Sequence, residues 1–195
     1  MSTAIAPPAP PKLLTYEAYM AEETDKQHYD ITDGEKIPMP AATRAHQKIQ
    51  LNLAILFRLC EKVSGAGETI TAPCDVLIRR APLRTRQPDV MFISSHRLAL
   101  NPAPDDPAPM TAAPEIVVEI ISGSETTHRF NEKIEDYCQV DVQECWKILP
   151  ETQTVEVLRL SRTGVTHMRI YSMGETVQSL TFSDLTVAVE AIFAA

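Results

Sequence analysis

Apolar residues recur along the chain at two spacings, and the change from one spacing to the other outlines the predicted elements. Between Thr43 and Gly65 they follow a helical repeat, which predicts an amphipathic helix with Thr43 as its N-cap. Apolar residues alternate on both sides of Asp33-Gly34, which predicts a β-hairpin closed by a type I′ turn. Continuous apolar runs predict buried strands in "QPDVMFIS", "PEIVVEIIS" and "VQECWKIL".

The remaining segments complete a mixed arrangement of helices and strands. A second helix is predicted in "GSETTHRFNEKIEDYCQ". "TITAPCDVLIRR" is predicted to be a strand followed by an Arg/Pro-rich turn, and residues 97–114 a long Pro-rich loop. The fold class is therefore α/β (α+β, mixed sheet): a core of helix, three strands, helix and strand, with an N-terminal hairpin and an antiparallel C-terminal extension. Residues 1–12 are expected to form a disordered Pro/Ala-rich tail, and residues 13–195 a single domain.

The composition is that of an ordinary globular protein, with 44% hydrophobic and 23% charged residues. No run reaches the roughly 18 apolar residues of a membrane span. The Pro-interrupted N-terminus lacks the pattern of a secretory signal, so a cytoplasmic location without a membrane partner is expected. The net charge of −8 argues against a non-specific nucleic-acid coat, but it is compatible with an acidic metal site and a local basic segment at residues 79–86.

Two acidic residues stand out because they occupy predicted strands. Glu119 lies within the apolar run 114–122, where an ionised carboxylate is costly unless it is compensated. Asp89 begins a similar strand; if the two strands are neighbours, the carboxylates converge, and a cation between them would offset their repulsion. Mg²⁺ suits such a site because it prefers oxygen ligands and needs few carboxylates besides water and phosphate. The alternative is that Glu119 faces solvent and that Asp89 simply begins a strand.

Several segments, taken in order, resemble the Uma-two (Uma2) family of restriction-endonuclease-like proteins in the PD-(D/E)XK nuclease superfamily. They are "YDITDGEKIPMP", "HQKIQLNLAILF", "RQPDVMFI", "PEIVVEIISGS", "EKIEDYCQVDVQECWKI" and "VEVLRL". Together they cover most of residues 13–193. The resemblance implies a restriction-endonuclease-like core with a metal site on adjacent strands, where Asp89 is the motif aspartate and Glu119 the motif glutamate.

One position departs from the superfamily pattern. The motif lysine is expected two residues after the glutamate, where this chain has Ile121. The Uma2 family usually supplies a lysine from the next helix, which implies Lys133 here. Lys133 borders the apolar stripe of that helix and can lean toward the sheet, where its ammonium group would orient the attacking water or neutralise phosphate charge. The alternative is that it pairs with Glu132, Asp136 or solvent, as helix lysines usually do.

Five further residues are candidates for supporting roles. Glu35 matches an acidic hairpin position of the family and is a candidate metal or water ligand; the alternative is a charge that only flanks the turn. The candidate substrate contacts are His46, Arg86, Gln87 and Tyr137. His46 lies in the first turn of the long helix, where a histidine is more often structural. Arg86 belongs to an arginine-rich segment that can bind a phosphate backbone or form a solvated turn.

Together with these residues, the resemblance implies a Mg²⁺-dependent endonuclease, with Mn²⁺ as a possible substitute, that hydrolyses phosphodiester bonds of nucleic acid. Asp89, Glu119 and Lys133 are the expected catalytic residues, and DNA is the expected substrate. The alternative is a catalytically degenerate nuclease-like fold that binds nucleic acid or protein. A third alternative is a dimeric structural domain: the antiparallel tail can present an edge strand for self-association, and the resemblance is compatible with a homodimer.

Overall fold

The computed structural model describes residues 13–22, 29–64, 67–123 and 125–194. The predicted tail at residues 1–12 lies outside these ranges. The helices of the described residues are α1 (Tyr16–Ala21), α2 (Arg44–Ser64), α3 (Ser95–Leu98), α4 (Thr127–Gln139) and α5 (Val189–Phe193). The strands are β1 (Tyr29–Thr32), β2 (Glu35–Pro38), β3 (Gly67–Thr71), β4 (Val76–Arg80), β5 (Leu83–Arg86), β6 (Val90–Ser94), β7 (Ile116–Ile120), β8 (Glu144–Leu149), β9 (Thr154–Ser161), β10 (Gly164–Tyr171), β11 (Thr176–Gln178) and β12 (Thr186–Ala188).

A six-stranded mixed sheet forms the centre of the protein, with the order β10-β9-β8-β7-β6-β3. Only β7 and β8 are parallel neighbours in this sheet. Helix α2 packs on one face through Leu53 and Phe57, and α4 packs on the other through Ile134 and Tyr137. The predicted core of helix, three strands, helix and strand is confirmed as α2, β3, β6, β7, α4 and β8. Side chains from both helices can therefore reach the ends of the central strands.

Local sequence signals account for the best-predicted elements. Asp33 and Gly34 both have positive φ angles, of 51° and 85°, as a type I′ turn requires, and they close the β1–β2 hairpin. The side-chain oxygen of Thr43 accepts a hydrogen bond of 3.2 Å from the backbone N–H of His46, which caps α2. The end of the chain forms both a short strand, β12, and a short helix, α5.

The segment around residues 67–86 differs from its prediction. The single strand predicted in "TITAPCDVLIRR" is two strands in different sheets, because β3 pairs with β6 whereas β4 pairs with β5. The predicted Arg/Pro-rich turn contains β5, which is buried throughout its length and joins the four-stranded sheet β2-β1-β5-β4. Apolar alternation is missing from β5 because its arginines face buried carboxylates, so the sequence pattern resembles a turn.

Strand β10 lies at the edge of the six-stranded sheet, and most of its residues are exposed. Self-association through this edge remains a prediction. None of the helices in the described residues is long and apolar enough to span a membrane.

Candidate active site

Asp89 and Glu119 come together where β6 begins and β7 ends. The antiparallel register pairs Val90 with Val118, and its continuation by one residue places Asp89 opposite Glu119. Asp89 Oδ2 accepts a hydrogen bond of 2.7 Å from the backbone N–H of Ile120, the residue that follows Glu119. The two acidic residues singled out in the sequence are therefore cross-strand neighbours.

Helix α2 also holds Asp89 in place. His46 Nε2 lies 2.9 Å from Asp89 Oδ1, and the side-chain amide of Gln50, one turn later, donates to the Asp89 carbonyl oxygen at 2.9 Å. The hydrogen bond with Asp89 raises the pKa of His46, although burial opposes the shift. His46 thus contacts a proposed catalytic carboxylate, while its predicted contact with substrate remains a prediction.

Glu119 is only 3% exposed, which excludes the alternative that it faces solvent. Its Oε2 accepts a hydrogen bond of 2.7 Å from Lys133 Nζ, and its Oε1 accepts one from the Tyr137 hydroxyl. Burial raises the pKa of Glu119 to about 7; Lys133 lowers the value and Asp89 raises it further. A buried carboxylate with two cationic or hydroxyl donors and a carboxylate neighbour is typical of catalytic sites.

Lys133 reaches Glu119 from α4, as the resemblance implied for a chain with Ile121 at the motif position. Burial lowers the pKa of Lys133, but Glu119 and then Asp30 raise it more, so the net shift is upward. Lys133 and Tyr137 lie one turn apart on α4 and therefore present their side chains to the same strand. Pairing of Lys133 with Glu132 or Asp136, the alternative from the sequence, is not seen; its second carboxylate is Glu125, at 3.8 Å.

The donor chemistry of this site fits a hard divalent cation. Each oxygen of Asp89 and Glu119 accepts one protein hydrogen bond, which leaves further lone pairs on the same atoms. A cation between the carboxylates would also relieve the repulsion that helps to raise the pKa of Glu119. Within the described ranges, no group of three or more His, Cys, Asp or Glu residues is arranged to hold a metal, so water and phosphate oxygens would have to complete the coordination.

Three other residues that the sequence suggested as ligands or substrate contacts are either exposed without side-chain partners or buried among other groups. Glu35 is exposed on β2 and makes no ion pair or side-chain hydrogen bond with the described residues. Arg86 was predicted to contact substrate, but its side chain is 7% exposed and is occupied by Asp30 and Asp136, at 2.8 Å and 2.6 Å. Gln87 is buried with its backbone N–H bound to Asp30, and its Oε1 lacks a partner among the described residues.

Sequence reasoning missed two residues of this region, one beside Glu119 and one beside Lys133. Lys147 on β8 is the Cα partner of Glu119 and pairs with Glu156 at 3.1 Å. A charged residue within the apolar strand "ECWKIL" is the same signal that singled out Glu119, so the sequence offered a clue. Glu125 has a buried oxygen without a hydrogen-bond partner in the described part of the chain. No sequence signal marks it, because it lies in a polar loop.

Comparisons with known proteins agree with this architecture. The profile of the Uma2 family, described as "Putative restriction endonuclease", matches residues 13–190. Among solved structures, the chain is similar to a protein from Anabaena variabilis ATCC 29413 described as a "putative nuclease belonging to DUF820". The TM-score is 0.76 at 17% identity, over 93% of this chain and 98% of that chain. At this identity the similarity establishes the fold. No curated protein matches the sequence.

Proposed function

Because the chain belongs to the Uma2 family, we propose that it is a Mg²⁺-dependent endonuclease that hydrolyses phosphodiester bonds in DNA. Asp89 and Glu119 would hold the cation, for which Mn²⁺ can substitute. Lys133 would act on the attacking water and on the charge of the phosphate.

One observation carries this proposal: a buried glutamate lies opposite an aspartate and is bound by a partly buried lysine. Lys133 Nζ is 2.7 Å from Glu119 Oε2, and its side chain is 13% exposed. Burying the Glu119 carboxylate beside that of Asp89 costs free energy that the fold alone does not require. The two carboxylates lie at the end of their strands, where side chains of both α2 and α4 contact them. This end of the sheet is accessible to solvent, since the Asp89 side chain is 19% exposed. A phosphate group of a substrate could therefore reach the two carboxylates from the solvent.

Each residue of the site has a separate role in the proposed reaction. When bound, a divalent cation supplies Lewis-acid chemistry to the phosphoryl group. Asp89 and Glu119 supply the oxygen ligands, and the bonds from His46 and the Ile120 N–H fix the orientation of the Asp89 carboxylate. Lys133, held on Glu119, presents an ammonium group to a water molecule or to the phosphate oxygens. Hydrolysis would proceed by in-line attack of water without a covalent intermediate.

Cleavage of plasmid DNA and of labelled oligonucleotides with Mg²⁺ or Mn²⁺ tests the proposal. Asp89→Asn and Glu119→Gln keep the shape of each side chain and should each abolish detectable cleavage. A parallel calorimetric titration should give Mg²⁺ binding that depends on Glu119. Cleavage that survives both substitutions would refute the proposal, and nucleic-acid binding without cleavage by the wild type would favour a binding module. Comparison of DNA with RNA substrates decides the substrate class.

A further inference from the structure

A network of four buried charges lies beside the active site and joins β1, β5 and α4. Its members are Asp30, Arg84, Arg86 and Asp136, each at most 9% exposed. Arg86 is the central member: its Nη1 donates to Asp30 Oδ2 at 2.8 Å, and its Nε donates to Asp136 Oδ2 at 2.7 Å. Arg84 Nε donates to the same oxygen of Asp136 at 2.7 Å. We call this set the buried charge network.

The network is attached to the part of α4 that carries the two side chains bound to Glu119. Lys133, Asp136 and Tyr137 are spaced at i, i+3 and i+4, so they share one face of the helix. Asp136 is tied to the four-stranded sheet by both arginines, whereas Lys133 and Tyr137 bind Glu119 in the six-stranded sheet. The rotation of α4 about its axis is therefore fixed from both sides.

Asp30 is a potential competitor for Lys133. Arg86 bridges Asp30 to Asp136, which lies one turn from Lys133 on the same face of α4, so the Asp30 carboxylate lies close to this face of the helix. In the structure, Asp30 is instead bound by Arg86 Nη1 and by the backbone N–H of Gln87, at 3.1 Å. Because these donors already form hydrogen bonds with the Asp30 carboxylate, Lys133 pairs with Glu119 and not with Asp30.

Stability alone does not account for such a network. Buried ion pairs lose much of their attraction to the cost of desolvation, and apolar side chains of similar volume often serve as well. What ion pairs add is geometry, because a guanidinium group donates along fixed directions. We propose that Arg86 is a positioning residue: by occupying both Asp30 and Asp136, it keeps Lys133 of α4 directed at Glu119.

The geometry makes this positioning matter for catalysis. A rotation of α4 by roughly 10° would move the end of a long side chain by about 1 Å. A misplacement of about 1 Å can lower a catalytic rate by about 100-fold. The catalytic part of the inference rests on the proposed nuclease function, whereas the placement of Lys133 can be tested without it.

The first test is Arg86→Met, which keeps the aliphatic stem and removes the donors. We expect kcat to fall by about 10- to 100-fold with KM within about 3-fold of the wild type. A crystal structure of the variant should show Lys133 Nζ displaced from Glu119 toward Asp30. A decrease in stability without either change would overturn the proposal.

The second test adds Asp30→Asn to Arg86→Met, which removes the competing carboxylate. We expect this double variant to recover at least about half of the loss in log kcat. Its crystal structure should show Lys133 Nζ bound to Glu119 again. A purely structural role predicts the opposite, because a second substitution in the same network would add to the damage. No recovery, with Lys133 still on Glu119, would contradict our inference.

Arg97→Met is the matched control. Arg97 also bridges two carboxylates, Glu115 at 3.2 Å and Asp141 at 3.1 Å, but it does so at the far end of β7. This variant should keep the kcat of the folded wild type. If Arg86→Met alone does not fold, Arg86→Lys replaces it; lysine keeps the charge but cannot span both carboxylates, so an unchanged kcat would count against positioning.

The two proposals fail in different ways. If the wild type cleaves no nucleic acid, the nuclease function fails, and the distance from Lys133 to Glu119 in the variants still decides the positioning. If the wild type cleaves and Arg86→Met cleaves equally well, only the positioning fails.

Discussion

Two glutamates at opposite ends of β7 allow a candidate catalytic carboxylate to be compared with a structural one. Glu115 and Glu119 are 7% and 3% exposed, and their spacing places both on the face of the sheet that α4 covers. Glu115 immediately precedes the strand, and Glu119 is its penultimate residue. Burial and local sequence are therefore similar, and the difference lies in their partners.

Glu115 is held by donors that belong to the framework. Its Oε2 accepts from the backbone N–H of Ser94 at 2.8 Å, and its Oε1 accepts from the Ser94 hydroxyl at 2.7 Å. Arg97 Nε completes the set at 3.2 Å. Charge and hydrogen bonds are both satisfied, which is what a structural carboxylate requires.

Glu119 is held instead by two side chains of α4 and lies opposite another carboxylate. Lys133 and Tyr137 bind its oxygens, while Asp89 disfavours its charge. The pKa of about 7, raised first by burial, keeps Glu119 poised between its two protonation states. We propose that incomplete compensation distinguishes Glu119, the candidate catalytic carboxylate, from Glu115, the structural one, and the following predictions test that contrast.

The largest difference is expected between Glu119→Gln and Glu115→Gln. The first should lower metal-dependent cleavage by about 1,000-fold or more, because it removes a proposed cation ligand. The second should leave the kcat of the folded protein unchanged but lower the free energy of unfolding by about 1–3 kcal/mol. Cleavage assays combined with urea unfolding measure both effects. Equal loss of kcat in the two variants would erase the distinction.

Lys133→Met should lower kcat by about 100- to 1,000-fold, since it removes the ammonium group at the site. Lys147→Met is the control, because Lys147 is the neighbour of Glu119 on β8 but pairs with Glu156. We expect its effect to remain below about 10-fold. A larger effect from Lys147 than from Lys133 would show that the sheet, and not α4, supplies the catalytic lysine.

Glu119 should also make the metal-free protein less stable as the pH rises. Its pKa is raised from 4.5 in the unfolded chain to about 7 in the folded protein, chiefly by burial. The folded state therefore holds the proton more tightly, and this contribution is complete below pH 4.5 and lost as the pH rises through 7. The loss is at most about 3 kcal/mol.

Urea unfolding at a series of pH values measures this effect. Glu119→Gln should remove that decrease in the free energy of unfolding between pH 4.5 and 7, and Mg²⁺ should offset it in the wild type. A wild type and a Glu119→Gln variant with parallel pH profiles would show that the carboxylate is fully compensated, as Glu115 is.

The smallest effect is expected for Tyr137→Phe. This change removes one hydrogen bond from Glu119 and leaves the buried ring in place. The loss should raise the pKa of Glu119 further and lower kcat by about 10-fold at neutral pH, with recovery at higher pH. A pH–rate profile measures both. An unchanged profile would assign the phenol a packing role.

Local patterns predicted much of the framework. Thr43 marked the start of α2 through its side-chain cap, and Asp33-Gly34 marked the hairpin through their positive φ angles. Strand β5 was mistaken for a turn, because the residues that neutralise Arg84 and Arg86 are 50 or more positions away in sequence. A pattern of neighbouring residues in the sequence gives no information about ion-pair partners that are so far away along the chain.

The sequence by itself determined most of the elements and singled out the two acidic residues, because strand periodicity and the cost of a buried charge are local properties; the family followed from the resemblance of whole segments. Only the tertiary structure decided which donors those acids receive. It brought Lys133 and His46 to Glu119 and Asp89 from two different helices, and it buried Arg86 where exposure had been expected. The physical reason is that compensation of a buried charge depends on distances across the fold, and these are set by packing and not by spacing along the chain.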